Sequence, residues 1–168
     1  MQSVPSILFV CTGNICRSPL AEALLRQEAA AAGVAVEVDS AGISDEERGN
    51  PPDPRARAIA RARGLVLPDR RARRIRPEDF RRFDLILAMT RGHLRALEGQ
   101  APPDGRARLR LFLDYAPELG RQDLPDPWYG GMADFALAMD MIEAGITGLL
   151  ADMTQAGRAW PGPAQEVS

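Results

Sequence analysis

Residues 6–19 read SILFVCTGNICRSP, and this stretch decides the fold. Ser6 to Val10 is a continuous apolar run of strand formers without alternation, the pattern of a strand buried on both faces of a parallel sheet. Pro19 then stands at a first-turn position, and Leu20, Leu24 and Leu25 follow at helical spacing as far as Ala32, with Gly33 as the stop. A strand passes directly into a helix through one tight loop, and that loop holds two cysteines and an arginine.

The rest of the chain repeats the alternation. Val34 to Val38 alternates into Asp39-Ser40-Ala41-Gly42, a second strand, and Ile43 to Pro54 is too polar and proline-rich for regular structure. Arg55 to Arg63 is helical with Gly64 at its end, Phe83 to Met89 is a third strand, Thr90 caps a short helix through Leu97, and Leu109 to Phe112 is a fourth strand. From Gly131, the spacing of Phe135, Leu137, Met139, Ile142, Ile146, Leu149 and Leu150 predicts a long last helix that Trp160 pins. The expected fold is a three-layer α/β sandwich whose central, mostly parallel sheet of about four strands is flanked by helices. Residues 1–160 are expected to form one domain and 161–168 a flexible tail. Ligands of such sheets bind at the carboxyl ends of the strands, where the cysteine loop, residues 39–54 and residues 122–131 would meet.

Composition narrows the function. Charge nearly balances at −2, and all 21 basic residues are arginine, so nothing supplies the basic face that nucleic-acid binding requires. Eleven arginines fall between Arg55 and Arg82, where interspersed Asp53, Asp69, Glu78 and Asp79 predict a solvated face. No apolar run approaches the length of a membrane span and no signal-peptide pattern opens the chain, which predicts a cytoplasmic protein without membrane contact. Two cysteines cannot make a disulfide framework, and with His93 as the sole histidine they fall short of a zinc site. His93 itself is expected on an exposed helix face.

The loop suits an anion. Thr12 to Ser18 leave a strand and enter a helix, so successive backbone N–H groups converge at a helix N-terminus, with Gly13 and Asn14 as the types that take a left-handed backbone. Ile15 and Cys16 complete the cradle. Arg17 offers a planar fork for two phosphoryl oxygens. Cys11, at the floor of these dipoles, is the expected nucleophile, and the Ser18 hydroxyl can donate to its sulfur. Five residues between Cys11 and Arg17 let the backbone wrap once around a tetrahedral anion, and phosphoryl transfer so held requires neither a metal nor a cofactor. The leaving alcohol needs a proton, for which Asp126, between Pro125 and Pro127, is the candidate, and Trp128 and Tyr129 beside it would wall an aromatic substrate. Cys16 either packs beneath the loop or pairs reversibly with Cys11.

These residues resemble the low-molecular-weight protein tyrosine phosphatase family. The resemblance runs through CTGNICRS, the AEALL helix, Asp39-Ser40-Ala41-Gly42, Gly49 to Arg55, FDLILAM and Asp126-Pro127-Trp128-Tyr129-Gly130. It implies Cys11 as nucleophile, Arg17 as phosphate clamp, Asp126 as general acid, Ser18 as the sulfur's partner, and Asn14 and Ser40 as a hydrogen-bonded pair supporting the loop. It implies phosphotyrosine proteins as substrates, inorganic phosphate as product and inhibitor, and a monomer or weak dimer. The chain departs from the family at Asp45-Glu46-Glu47, where many members carry an aromatic cleft wall, so that Glu46 makes the rim acidic. Thr90 replaces a common Asp, and Arg70 or Arg71 stands where a supporting histidine is common, with modest effects expected on the loop.

Three other functions share parts of this pattern. Thiol-dependent arsenate reductases pass oxidising equivalents to two later cysteines, and none follows Cys16. Protein arginine phosphatases typically carry Thr where Ile15 stands. A non-catalytic phosphate-binding module would be expected to lose the nucleophile or the acid, and this chain keeps both.

Overall fold

The first strand, β1 (Ser6–Cys11), is buried along its whole length because it pairs in parallel with a neighbour on each side. The computed structural model describes residues 4–155 and Trp160, so the expected tail at 161–168 lies outside the described residues. In chain order follow α1 (Arg17–Ala31), β2 (Glu37–Gly42), α2 (Pro54–Ala62), α3 (Pro77–Arg82), β3 (Leu85–Ala88), α4 (Arg91–Gln100), β4 (Arg108–Leu111) and α5 (Met132–Thr154). The sheet has the order β2-β1-β3-β4 and is parallel throughout.

Alternation along β1 divides the core. Ile7 and Phe9 point toward α1, α2 and α5, where Phe9 meets the Phe112 ring edge-on at 5.4 Å. Leu8 and Val10 point to the opposite layer with Ile86, Phe80, Phe83 and Leu97 from β3, α3 and α4. The expected three-layer sandwich is the observed one. Because β2 and β3 lie on opposite sides of β1, the chain leaves the end of β1 where the strand order reverses, which is where the loop 12–16 sits.

Some expectations shift. β2 starts at Glu37 instead of Val34, because β1 starts at Ser6 and the register pairs Ser6 with Glu37. α3 is not expected from the sequence: six residues with one buried aromatic, Phe80, show no helical period. Phe112 leaves the fourth strand to open a 3-10 turn. Leu137 is exposed on α5, outside the apolar stripe. The arginines do not form a uniformly solvated face, for Arg70 and Arg73 are drawn into ion pairs with carboxylates of other elements. The stops hold: Gly33 and Gly64 have φ of +71° and +69°. Trp160 packs against the core and donates from Nε1 to Asp152 at the end of α5, 2.8 Å away.

Candidate active site

Cys11 ends β1 with 3% of its surface exposed, and its sulfur is the floor of the loop. The Asn14 backbone N–H points at Sγ from 3.3 Å, and Ser18 Oγ lies 2.9 Å from it. Asn14 organises the rest. Its Nδ2 donates to Ser18 Oγ and Ser40 Oγ, each at 2.9 Å, and its Oδ1 accepts from Arg73 N at 3.1 Å. Because Asn14 occupies one lone pair of Ser18, the serine hydrogen is free to point at the sulfur. Asn14 has φ +62°, the only positive value on a non-glycine among the described residues. Gly13 does not share that conformation, contrary to expectation; a Cβ there would lie 2.9 Å from Glu47 Cγ.

The loop is held against β2 by backbone. Ile43 N donates to Cys11 O and Ser44 N to Thr12 O, at 2.9 and 3.1 Å. Gly42 sits so close that a Cβ would meet Thr12 O at 2.7 Å. Within the loop, the N–H groups of Gly13, Ile15 and Cys16 donate to no acceptor among the described residues, and α1 begins at the next residue. Convergent free donors at a helix N-terminus are the elementary anion site.

Arg17 and Asp126 meet over this floor. Arg17 is buried; Nη1 donates to Leu124 O at 2.8 Å, and Nη2 lies 3.5 Å from Asp126 Oδ2. Asp126 is partly exposed, and its Oδ1 accepts from Trp128 N at 3.0 Å. The cleft is small, about 160 Å³, with residues 11–13 and 15–17 as its floor. Glu46 and Glu47 form one wall, and Asp126, Trp128 and Tyr129 the other. Trp128 is 42% and Tyr129 90% exposed, so both line the mouth and neither belongs to the core. All twelve residues read from the sequence for the loop, the acid and the cleft, from Cys11 to Tyr129, converge here with Ser40 directly beneath.

Beneath Ser40 lies a charged network. Ser40 Oγ donates to Glu22 Oε1 at 2.6 Å, and Glu22, only 1% exposed, also accepts from Arg26 at 2.8 Å. Arg70 bridges Glu22 and Asp39 and reaches Ser40 O at 3.1 Å. Arg73 continues from Asp39 to Asp79. Burial opposes the charged form of Asp39, yet Arg70 and Arg73 hold its carboxyl below the ordinary range. The supporting position is therefore filled by Arg70, while Arg71 only reaches Gly49 O at the surface.

Cys16 caps α1 from within the core and is a free thiol, as is Cys11. Burial, reinforced by Asp53 and Cys11, pushes the Cys16 thiol far up, so it stays protonated. His93 overturns its sequence reading. It is half-buried, and its Nε2 lies 2.8 Å from Thr12 Oγ1, at the rim of the loop. Nothing local marks this contact, because Thr12 is 81 residues away; the one available sign is that Thr90, by capping α4, fixes the direction of its first turn.

A parallel α/β sheet whose central strand ends in a thiol, ringed by N–H groups without acceptors among the described residues and flanked by a buried arginine, has the architecture of a phosphate-loop protein. The family model for low molecular weight phosphotyrosine protein phosphatase matches residues 6–159. A low molecular weight protein-tyrosine-phosphatase of Streptomyces coelicolor is 45% identical over 150 residues, covering 86% of this chain and 91% of that protein. Among solved structures, YfkJ from Bacillus subtilis superposes with a TM-score of 0.82 at 36% identity, covering 90% of this chain and 95% of its own. An arginine phosphatase from Drosophila superposes at 0.85 with 30% identity, covering 94% and 100%. The chain belongs to the low molecular weight phosphotyrosine protein phosphatase family, and with it to the phosphoric monoester hydrolases.

Proposed function

We propose that the chain hydrolyses phosphotyrosine in protein substrates through a cysteinyl-phosphate. The Cys11 sulfur attacks phosphorus as the bond to the phenolic oxygen breaks, and protonated Asp126 delivers its hydrogen to that oxygen. Arg17 and the N–H groups of the loop hold the equatorial oxygens, where the charge is spread. Water then attacks phosphorus, Asp126 takes its proton, and sulfur leaves while accepting a hydrogen bond from Ser18. No step draws on a metal or cofactor. Inorganic phosphate is the product and, with vanadate, a competitive inhibitor. We place the enzyme in the cytoplasm as a monomer or weak dimer, with residues 1–160 as one domain.

One observation carries this reading: the Cys11 sulfur, Arg17 and Asp126 line a single cleft of about 160 Å³. That volume suits a phosphoryl group with part of a ring. An arginine phosphatase is among the similar structures, but the apolar Ile15 in the floor and the exposed Trp128-Tyr129 wall favour an aryl group. The test is turnover of an aryl phosphate by the parent, Cys11→Ser and Asp126→Ala. Cys11→Ser is expected to be inactive and Asp126→Ala to lose roughly 10² to 10⁴ in rate. Normal hydrolysis by Cys11→Ser refutes the mechanism, and preference for phosphoarginine over phosphotyrosine peptides refutes the substrate.

A further inference from the structure

Arg55, in the Asp-Pro-Arg sequence that opens α2, has no part in the chemistry above, yet its guanidinium is shared among three elements. Nε and Nη2 take the two oxygens of Asp53, each at 3.1 Å. Nη1 crosses to the carbonyls of Trp128 and Gly130, at 3.0 and 2.8 Å. The cation also sits 5.3 Å from the Trp128 ring centre and 4.7 Å from that of Phe135 in α5. Asp53 is in turn fixed to the phosphate loop, because its backbone N–H donates to Ile15 O at 2.8 Å.

Asp126 therefore lies between two arginine anchors. Arg17 holds the carbonyl of Leu124, two residues before it, and Arg55 holds that of Trp128, two residues after. Asp126 caps a single 3-10 turn, Pro127–Tyr129, in which Tyr129 is almost fully exposed and Trp128 is half-exposed beside Arg55. Among the described residues, the only side chains from outside this turn that hydrogen bond to it are those of Arg55 and of Asp126 itself. Since Trp128 N also orients Asp126 Oδ1, the direction of the carboxylate depends on where the turn is held.

We infer that Arg55 is a positioning residue for the general acid: it clasps the turn carrying Asp126 to the phosphate loop and so sets where the carboxylate meets the leaving oxygen. The inference rests on Asp126 being the acid. A displacement of about 1 Å in such a group is enough to cost up to roughly a hundredfold in rate. The cost falls on substrates whose leaving group needs the proton, and spares those whose leaving anion is stable by itself.

The experiment compares kcat/KM for phenyl phosphate, a poor leaving group, and para-nitrophenyl phosphate, a good one. The enzymes are the parent, Arg55→Met, Arg55→Lys, Asp126→Asn and the double variant Arg55→Met/Asp126→Asn, with inhibition by inorganic phosphate measured in each. Arg55→Met is expected to lose roughly tenfold on phenyl phosphate and under about threefold on para-nitrophenyl phosphate, with phosphate inhibition unchanged. Arg55→Lys, which keeps the charge beside Asp53 and so protects folding, is expected to show a smaller loss of the same asymmetry. Asp126→Asn should show it more strongly, and adding Arg55→Met to that variant should cost nothing further. Equal losses on both substrates, weakened phosphate inhibition, or additive losses in the double variant overturn the role of Arg55. If Asp126→Asn itself lacks the asymmetry, the acid assignment falls and takes this inference with it; asymmetry in Asp126→Asn but in neither Arg55 variant overturns Arg55 alone.

Discussion

Arg17 and Asp126 face each other across the cleft, Nη2 to Oδ2 at 3.5 Å, while the other terminal nitrogen of Arg17 is committed to the carbonyl of Leu124. The proposed clamp and the proposed acid are thus in contact, and one end of the fork is spent on holding the segment that carries Asp126. A phosphoryl group bound in the loop would meet a guanidinium tethered at Nη1.

Arg17→Lys keeps the charge and loses this arrangement, because an ammonium has no planar fork to serve a carbonyl and two phosphoryl oxygens together. We expect kcat/KM on an aryl phosphate to drop roughly 10² to 10³ fold, with weakened phosphate inhibition. A loss below about fivefold would show that charge alone matters.

Ser18 Oγ, 2.9 Å from the sulfur, is expected to matter most when sulfur is the leaving group. Hydrogen bonds to charged groups contribute about 1.5–3 kcal/mol, so Ser18→Ala should slow breakdown of the intermediate roughly 10- to 100-fold. Acid-quenched reactions should then trap more phosphoenzyme than the parent does; an unchanged phosphoenzyme fraction contradicts the role.

Gly42→Ala places a methyl 2.7 Å from Thr12 O, 3.2 Å from Gly13 C and 3.3 Å from Asn14 N, all of them backbone. The loop has to shift, since none of these atoms can rotate away. Activity should fall at least about tenfold, while the cost to stability, measured by urea unfolding, stays near that of ordinary overpacking, about 1–3 kcal/mol. Full activity would mean that the loop tolerates displacement.

His93 makes stability depend on pH. Burial pushes its pKa down from 6.5 to about 4, helped by Arg17 and opposed by Asp126 and Asp123. Its second ring nitrogen, Nδ1, is buried without a partner among the described residues, so a proton there finds no acceptor among them. Between pH 6.5 and 4 the unfolded chain binds a proton that the folded chain refuses. Stability is therefore lost as pH falls through this window and is unaffected above it, with a slope of at most about 1.4 kcal/mol per pH unit from this residue. Urea unfolding of parent and His93→Asn should diverge in pH dependence inside the window alone; parallel curves would refute the assignment.

The loop and the elements around it were legible because their signals are local. The apolar run at Ser6, Pro19 in the first helical turn and the prolines around Asp126 act on their own neighbours. What stayed hidden depends on distant partners. Val34 and Val36 alternate well enough for a strand, but pairing waits for Ser6, which faces Glu37. Arg70 and Arg73 look like surface charge until Glu22, Asp39 and Asp79 are brought beside them. His93 has no apolar pattern to betray burial, and its contact with Thr12 exists only because β1 and β3 are neighbours whose ends lie side by side.

Asn14 accepts a left-handed backbone and then spends its amide on Ser18, Ser40 and the Arg73 N–H. Glycine would ease the backbone and forfeit the bonds; aspartate would keep an acceptor and lose the donors. One letter of the sequence thus encodes the curve of the loop, its seam with β2 and its tie to residue 73. A library randomised at position 14 and selected for turnover should return the parental amino acid and little else.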